Sequence, residues 1–168
     1  VSVLPPPGRW ALGDEAQRQA ELLLQTAQQQ GLRTAWLAPD ARFLSNLNII
    51  ENLRVLHDWH ERAAGFEADL EAALERLGMV PPPAWLQQRP SSLRDRQLLL
   101  AGLLRVFLLA PDVVVLHPGS LAQAGAGLTA RLVETFAEAR LLLLGEADAD
   151  WPAWPGAVPD VPVEENPV

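Results

Sequence analysis

Cysteine is absent from the chain. That excludes disulfides and thiolate metal sites, and it fits a reducing compartment. Basic residues are scarce: 13 Lys and Arg stand against 21 Asp and Glu, a formal charge of −8. Phosphate backbones are held by clustered Lys and Arg, so nucleic acid is not an expected partner. Long apolar runs are also missing. The longest candidate, residues 98–110, is interrupted by Arg105 and falls short of the roughly 18–20 residues needed to cross a bilayer. The opening VSVLPPPGRW lacks a basic stretch followed by an apolar one, so it does not read as a signal peptide.

What is present describes a folded chain. With 168 residues, 49% of them hydrophobic and 20% charged, there is enough for one domain with a sizeable core. The stretch RPSSLRDRQLLLAGLLRVFLLAPDVVVLHPG organises the rest. A polar start opens a run that stays apolar on every face, as in a helix buried on all sides. Ala110-Pro111-Asp112 then leads into Val113–Leu116, a short apolar run suited to the centre of a parallel sheet.

Other elements are predicted around that pair. Residues 1–4 and 9–12 read as short strands separated by Pro5-Pro6-Pro7-Gly8. Asp14 caps a helix that Gly31 ends, and residues 32–37 form a strand stopped by Pro39-Asp40. Asn46 or Asn48 caps a helix running through His60. Residues 67–77 form an amphipathic helix with Leu70, Ala73, Leu74 and Leu77 on one face, ended by Gly78. Pro81-Pro82-Pro83 is a rigid spacer, and Ser92 caps the central helix, with Asp95 as a weak capping-box partner. Residues 119–127 read as a small-residue loop, 128–139 as a helix, and 141–144 as a buried strand. Residues 150–168, with Pro at nearly every third position, read as an irregular tail. Short alternation of strand and helix predicts an α/β fold with a mainly parallel sheet.

From Leu32 onward the order of segments resembles the ATP-binding subunit of an ABC transporter. TAWLAPDARFLSNLNIIENL is similar to that family's strand, Q-loop and the segment after it. RPSSLRDRQLLLAGLLRVFLLAPDVVVLHP is similar to its signature motif, helix and Walker B strand, and RLLLLGEAD to the strand before its switch histidine. The wording SNLNIIENL is most similar to the cassettes of Mce-type (maintenance-of-lipid-asymmetry-like) lipid transporters of Gram-negative bacteria. The resemblance implies a P-loop-NTPase, ABC-cassette-like α/β fold over residues 1–149, with a helical portion at about 46–109.

Position by position, the chemistry of that family is missing. No Gly-x-x-x-x-Gly-Lys-Ser/Thr phosphate cradle occurs. Either this loop has been deleted or has decayed, the favoured reading, or it lies upstream of Val1 in a working ATPase. Ala38 matches the Q-loop glutamine. Leu93, Arg94, Asp95, Arg96 and Gln97 match the signature Leu-Ser-Gly-Gly-Gln, in which serine and glycine amides hold a γ-phosphate. His117 matches the magnesium-binding aspartate and Pro118 the catalytic glutamate. Imidazole is a poor magnesium ligand and proline is no base. Glu146 matches the switch histidine. Together these departures imply no phosphoryl transfer and no bound cofactor, with ATP and magnesium expected only if a P-loop lies upstream or in a partner.

The remaining candidates are each open to two readings. His57 and His60 in HDWHE share a helical face, as a metal site or as a solvated helix end with Trp59 packed inward. His117 marks a relic small-molecule site or is a partly buried filler. Arg89, Arg94 and Arg96 form a basic cluster for a partner or anionic lipid, or pair with Asp95 and nearby Glu residues. Phe43, Leu44, Leu47, Ile49 and Ile50 form either a permease-binding groove, as the resemblance implies, or part of the core.

The expected protein is thus a catalytically degenerate cassette, an accessory or structural subunit of a bacterial lipid-type ABC transporter. It would sit at the cytoplasmic face of the inner membrane beside a permease or an active ATPase partner, and a homodimer fits the same resemblance. A soluble regulatory or ligand-binding protein is the alternative of a different class.

Overall fold

The computed structural model describes residues 4–12, 15–39, 42–60 and 65–144. Along the chain run β1 (Gly8–Leu12), α1 (Ala16–Gln29), β2 (Thr34–Leu37), α2 (Ile49–Trp59), α3 (Phe66–Leu77), α4 (Asp95–Leu109), β3 (Val113–Leu116), α5 (Pro118–Thr135) and β4 (Arg140–Leu144). The strands form one sheet in the order β1-β4-β3-β2, and every pair in it is parallel. Parallel neighbours cannot be joined by hairpins, so each strand returns through helix.

Alternation along the strands splits the core in two. Val113, Val115, Leu142 and Leu144 face α1 and pack with Leu12, Ala20, Leu23 and Ala27. Val114, Leu116, Leu141 and Leu143 face the other way, onto Leu99, Leu103, Leu104 and Leu132. All four residues of β3 are buried. Apart from the residues of its polar start and Arg105, α4 is buried almost all round, as its run of apolar side chains predicts.

Polar contacts line up the strand starts. The Asp112 carboxylate accepts from the Arg33 amide at 2.8 Å, the Asp112 amide donates to the Arg33 carbonyl at 2.8 Å, and its carbonyl accepts from Arg140 N at 2.9 Å. One residue therefore sets the heights of β2, β3 and β4. A second polar anchor holds the segment before α2. Buried Asn52 accepts from Leu44 N at 2.7 Å and donates to the carbonyls of Leu44, Leu47 and Asn48 at 3.1, 3.2 and 2.9 Å. Asn48 is the cap of α2: its side chain accepts from Glu51 N at 2.8 Å while Glu51 accepts from Asn48 N at 2.7 Å.

Several expectations need correction. Residues 119–127 are not a loop, because α5 starts at Pro118 and continues to Thr135 with one break at Gly125 (φ 79°, ψ 166°). Proline at the first helical position is pre-set for helix, and the leucine and alanines that follow outweigh scattered glycines. Ser92 does not cap α4; it ends a single 3-10 turn, Pro90–Ser92, and the cap position falls on Arg94. Leu4 lies in no strand, and residues 1–3, the Asp14 cap, Asp40, Glu146 and the tail at 150–168 lie outside the described residues. Trp59 is 82% exposed rather than packed inward, while His57, two residues earlier and on the opposite face of α2, is buried.

Two consequences for stability follow. Leu104→Ala, at a fully buried site in α4, is expected to cost about 2–5 kcal/mol in urea unfolding, whereas Trp59→Ser is expected to stay within about 0.5 kcal/mol. Between α2 and α3, Arg54 holds the Glu67 carboxylate at 2.7 Å, and that hydrogen bond keeps the Glu67 carboxyl below its ordinary range. A lowered folded-state value stabilises above the ordinary carboxylate range and is lost as pH falls through the lowered one. Glu67→Gln is therefore expected to be less stable than the parent at neutral pH and to converge with it in acid, read as melting temperature against pH.

Candidate functional site at the carboxyl edge of the sheet

Because the strands are parallel, their carboxyl ends share one edge, the usual position for ligands in open α/β sheets. A cleft of about 640 Å³ opens there, walled by Trp36, Ala38, Arg42, Arg105, His117 and Leu144, with Gln17 and Glu21 from α1 across from them. Ala38 and His117, matched to the Q-loop and Walker B positions, thus come together in space. The signature positions 93–97 do not line this cleft.

His117 follows directly on β3 and is exposed. Its Nδ1 accepts from the Gly119 amide at 3.1 Å, making the imidazole the cap of α5. A methyl group at Gly119 would stand 3.2 Å from that nitrogen, so the missing side chain lets the ring approach the helix end. With Nδ1 accepting, the proton of the neutral ring sits on Nε2. His117 is therefore not a partly buried filler; it is exposed and satisfies a helix-end donor. Pro118 is the first residue of α5.

The β1–α1 connection consists of positions 13–15, of which Glu15 is described, in a left-handed conformation (φ 62°). A phosphate cradle is a glycine-rich strand-to-helix loop of eight-residue pattern ending in Lys-Ser/Thr. Three positions cannot supply it, and the chain has no lysine anywhere. Glu21 is the one carboxylate among the described lining residues, and its oxygen accepts from the Gln17 amide at 3.3 Å.

At the other end of α4 the signature positions have structural tasks. Leu93 packs against the core. Gln97 reaches back to accept from Arg94 N at 2.9 Å, and Arg94 and Asp95 are exposed. Arg96 neither pairs with Asp95 nor stays free. Its guanidinium donates to the carbonyls of Gln123 and, at 3.2 Å, Ala124. Those carbonyls precede the Gly125 break, which takes away their partners in the next helical turn. The arginine supplies the lost donors.

The other candidates separate. His57 is turned into the α2–α3 interface, where its Nε2 lies 2.9 Å from Asp69 Oδ2 and its ring meets Phe66 edge-on. No group of three or more His, Cys, Asp or Glu among the described residues is placed to hold a metal. In the proposed docking segment Ile49 is fully buried, Phe43, Leu47 and Ile50 are half-buried, and Leu44 is 54% exposed. Phe43 lies under Arg105, with the guanidinium 5.0 Å from its ring centre. Trp36, Arg42 and Arg105 of the cleft wall were not anticipated. The available signal was Arg105 itself, a lone charge deep in an apolar helix.

Removing the imidazole should therefore cost stability. His117→Ala is expected to lose about 1 kcal/mol as a deleted helix cap, and His117→Asn to regain most of it, both by urea unfolding.

The chain superposes on solved ATP-binding cassettes. It matches the ATP-binding cassette MJ0796, in a dimeric post-hydrolysis state bound to ADP and Pi, with a TM-score of 0.60 and 11% identity over 88% of this chain and 78% of that one. It matches CbiO1 from Clostridium perfringens, part of the ABC transporter complex CbiONQ, with a TM-score of 0.57 and 10% identity over 85% of this chain and 69% of that one. No family model matches the chain, and no curated protein is similar to it in sequence. At such low identity the likeness is one of fold: this is an α/β, ABC-cassette-like and P-loop-NTPase-like architecture.

Proposed function

We propose that the chain is a cassette-fold subunit that does not hydrolyse ATP and serves as an accessory or structural component of a bacterial ABC transporter, of the lipid-transporting Mce type. The observation that carries this is the carboxyl edge of the sheet. The Q-loop and Walker B matches meet there, and what stands at them supports the reading: Ala38, and His117-Pro118 built into a helix cap, beside a three-position β1–α1 connection. Binding MgATP takes amide donors around the phosphates and an oxygen ligand for the metal. The sequence has no glycine-rich loop ending in Lys-Ser/Thr, and His117 and Pro118 stand at the matched metal and base positions, which supports a reading without a nucleotide cofactor.

The role that remains is assembly. CbiO1, of the same fold, is part of a transporter complex. No helix among the described residues is long and apolar enough to cross a membrane, so the chain would attach to a permease or to an active ATPase partner at the cytoplasmic face of the inner membrane. Exposed apolar side chains suited to such a contact are Leu44, beside the Asn52 anchor, and Val55 and Trp59, one turn apart on α2. Arg94 and Asp95 at the start of α4 offer a second, polar face.

Two measurements decide. Purified chain with millimolar MgATP should release phosphate no faster than buffer, and turnover abolished by His117→Ala would overturn the reading. A permease gene is expected beside that of this chain; co-expressed with that permease, the chain should co-purify with it, and Leu44→Asp with Trp59→Asp should break the complex while leaving the melting temperature unchanged. Failure of the parent chain to co-purify would argue for a soluble ligand-binding protein instead.

A further inference from the structure

Helix α5 is broken at a place where its sequence does not ask for a break. Leu121, Ala124, Leu128 and Leu132 follow one another at intervals of three, four and four residues and all pack against the core, the spacing of one uninterrupted helix. No proline stands between Leu121 and Leu132. Yet Gly125 has φ 79° and ψ 166°, a backbone conformation open in practice only to glycine. A methyl group there would meet no atom within 4 Å, so the glycine is not present to make room for a neighbour.

What holds the helix in this shape lies on α4. Arg96 donates to the carbonyls of Gln123 and, at 3.2 Å, Ala124, immediately before the break. In a continuous helix the Ala122 carbonyl would accept from the Ala126 amide and the Gln123 carbonyl from the Gly127 amide. The broken form sets two bonds from a guanidinium against those, and a charged donor makes the stronger bond. Arg96 is exposed, as are Arg94 and Asp95 beside it, so the contact can open without stranding a buried charge.

We propose that α5 is a two-state element and that Arg96 is its latch. With the guanidinium on Gln123 and Ala124 the helix stays broken at Gly125; with it released, Gly125 enters the helical range and residues 118–135 run as one helix. The two forms differ in the direction of residues 118–124 relative to 126–135. His117, which caps the first piece and lines the cleft, turns with it. The latch therefore links the polar start of α4 to the carboxyl edge of the sheet. It belongs to the free chain and is independent of the assembly role above.

Hydrogen exchange of the full chain, read at the amides of Ala126 and Gly127, tests the latch. In the parent these amides open the second piece of α5, where a helix leaves its first donors without intrahelical partners, and they should exchange fast. Arg96→Ala should slow their exchange by at least about tenfold and raise the helical far-UV signal, because the unlatched helix closes over the break. Gly125→Ala denies the broken form its backbone conformation. It should slow the same amides with Arg96 still in place, and its urea midpoint should equal or exceed that of the parent. The His117 imidazole resonance should move in the same direction in both variants. A permanent break predicts the opposite: faster exchange across residues 118–128 in Arg96→Ala, and a lowered urea midpoint with no added helix in Gly125→Ala. Failure of either folded variant to slow exchange, or a His117 resonance unmoved in both, would overturn the proposal. Should Arg96→Ala not fold, Gly125→Ala alone decides.

Discussion

A sheet made only of parallel strands must be covered on both faces, and its strands must start level if they are to end level. Here both demands meet at the junction between α4 and β3. Asp112, immediately after the proline that stops α4, ties Arg33 and Arg140 to itself through one side-chain and two main-chain contacts. Once those starts are aligned, the carboxyl ends Leu37, Leu116 and Leu144 fall along one edge. The cleft exists because of that alignment, and so does the juxtaposition of Ala38 with His117. The burial of α4 against Val114, Leu116 and the helices around it supplies the main apolar contribution. Asp112 decides where that apolar mass is placed.

The positions at which the family's chemistry would stand have not simply been emptied. His117 satisfies an orphan donor of α5, Gln97 does the same for α4, and Arg96 repairs the carbonyls exposed at the Gly125 break. Each contact is worth on the order of 1 kcal/mol, a sizeable share of the stability of a small domain. Such use gives these side chains a reason to be present that does not involve phosphate. It also explains how one architecture accommodates residues that would be disruptive in a nucleotide site. An arginine in place of a glycine blocks close backbone approach to a phosphate, but it is well suited to gripping two carbonyls.

Much of the fold was legible because its elements follow local rules. The apolar run of α4, the alternation that divides β3 between two faces, the Asn48 cap and the Gly78 stop all rest on contacts within a few residues. The failures came where distant residues decide. Residues 119–127 look like a loop by composition, and packing of Leu121 and Ala124 against the core favours the helix. Trp59 looks like a core residue by type, but His57 takes the inward position because Asp69 on α3 is there to meet it. The partner of Arg96 lies more than twenty residues away in sequence, so nothing local announces it. At the candidate site, Ala38 and His117 were legible through the resemblance. The cleft that unites them with Trp36 and Arg105 required the sheet.

Arg105 shows what resemblance alone hides. Set beside a family pattern, it is punctuation in a familiar helix. Set in this fold, it is a cation withdrawn from water with two carbonyls and a phenyl ring for company. Structural duty explains the two carbonyl contacts, since the segment holding Arg42 has to be tied to the sheet edge. It does not explain why the tie is a charged group, when a neutral amide donor would serve at a smaller desolvation cost. Among the described residues of the wall the one carboxylate, Glu21, already accepts from the Gln17 amide, so the cost of that charge is offset by the two carbonyl dipoles and the face of Phe43.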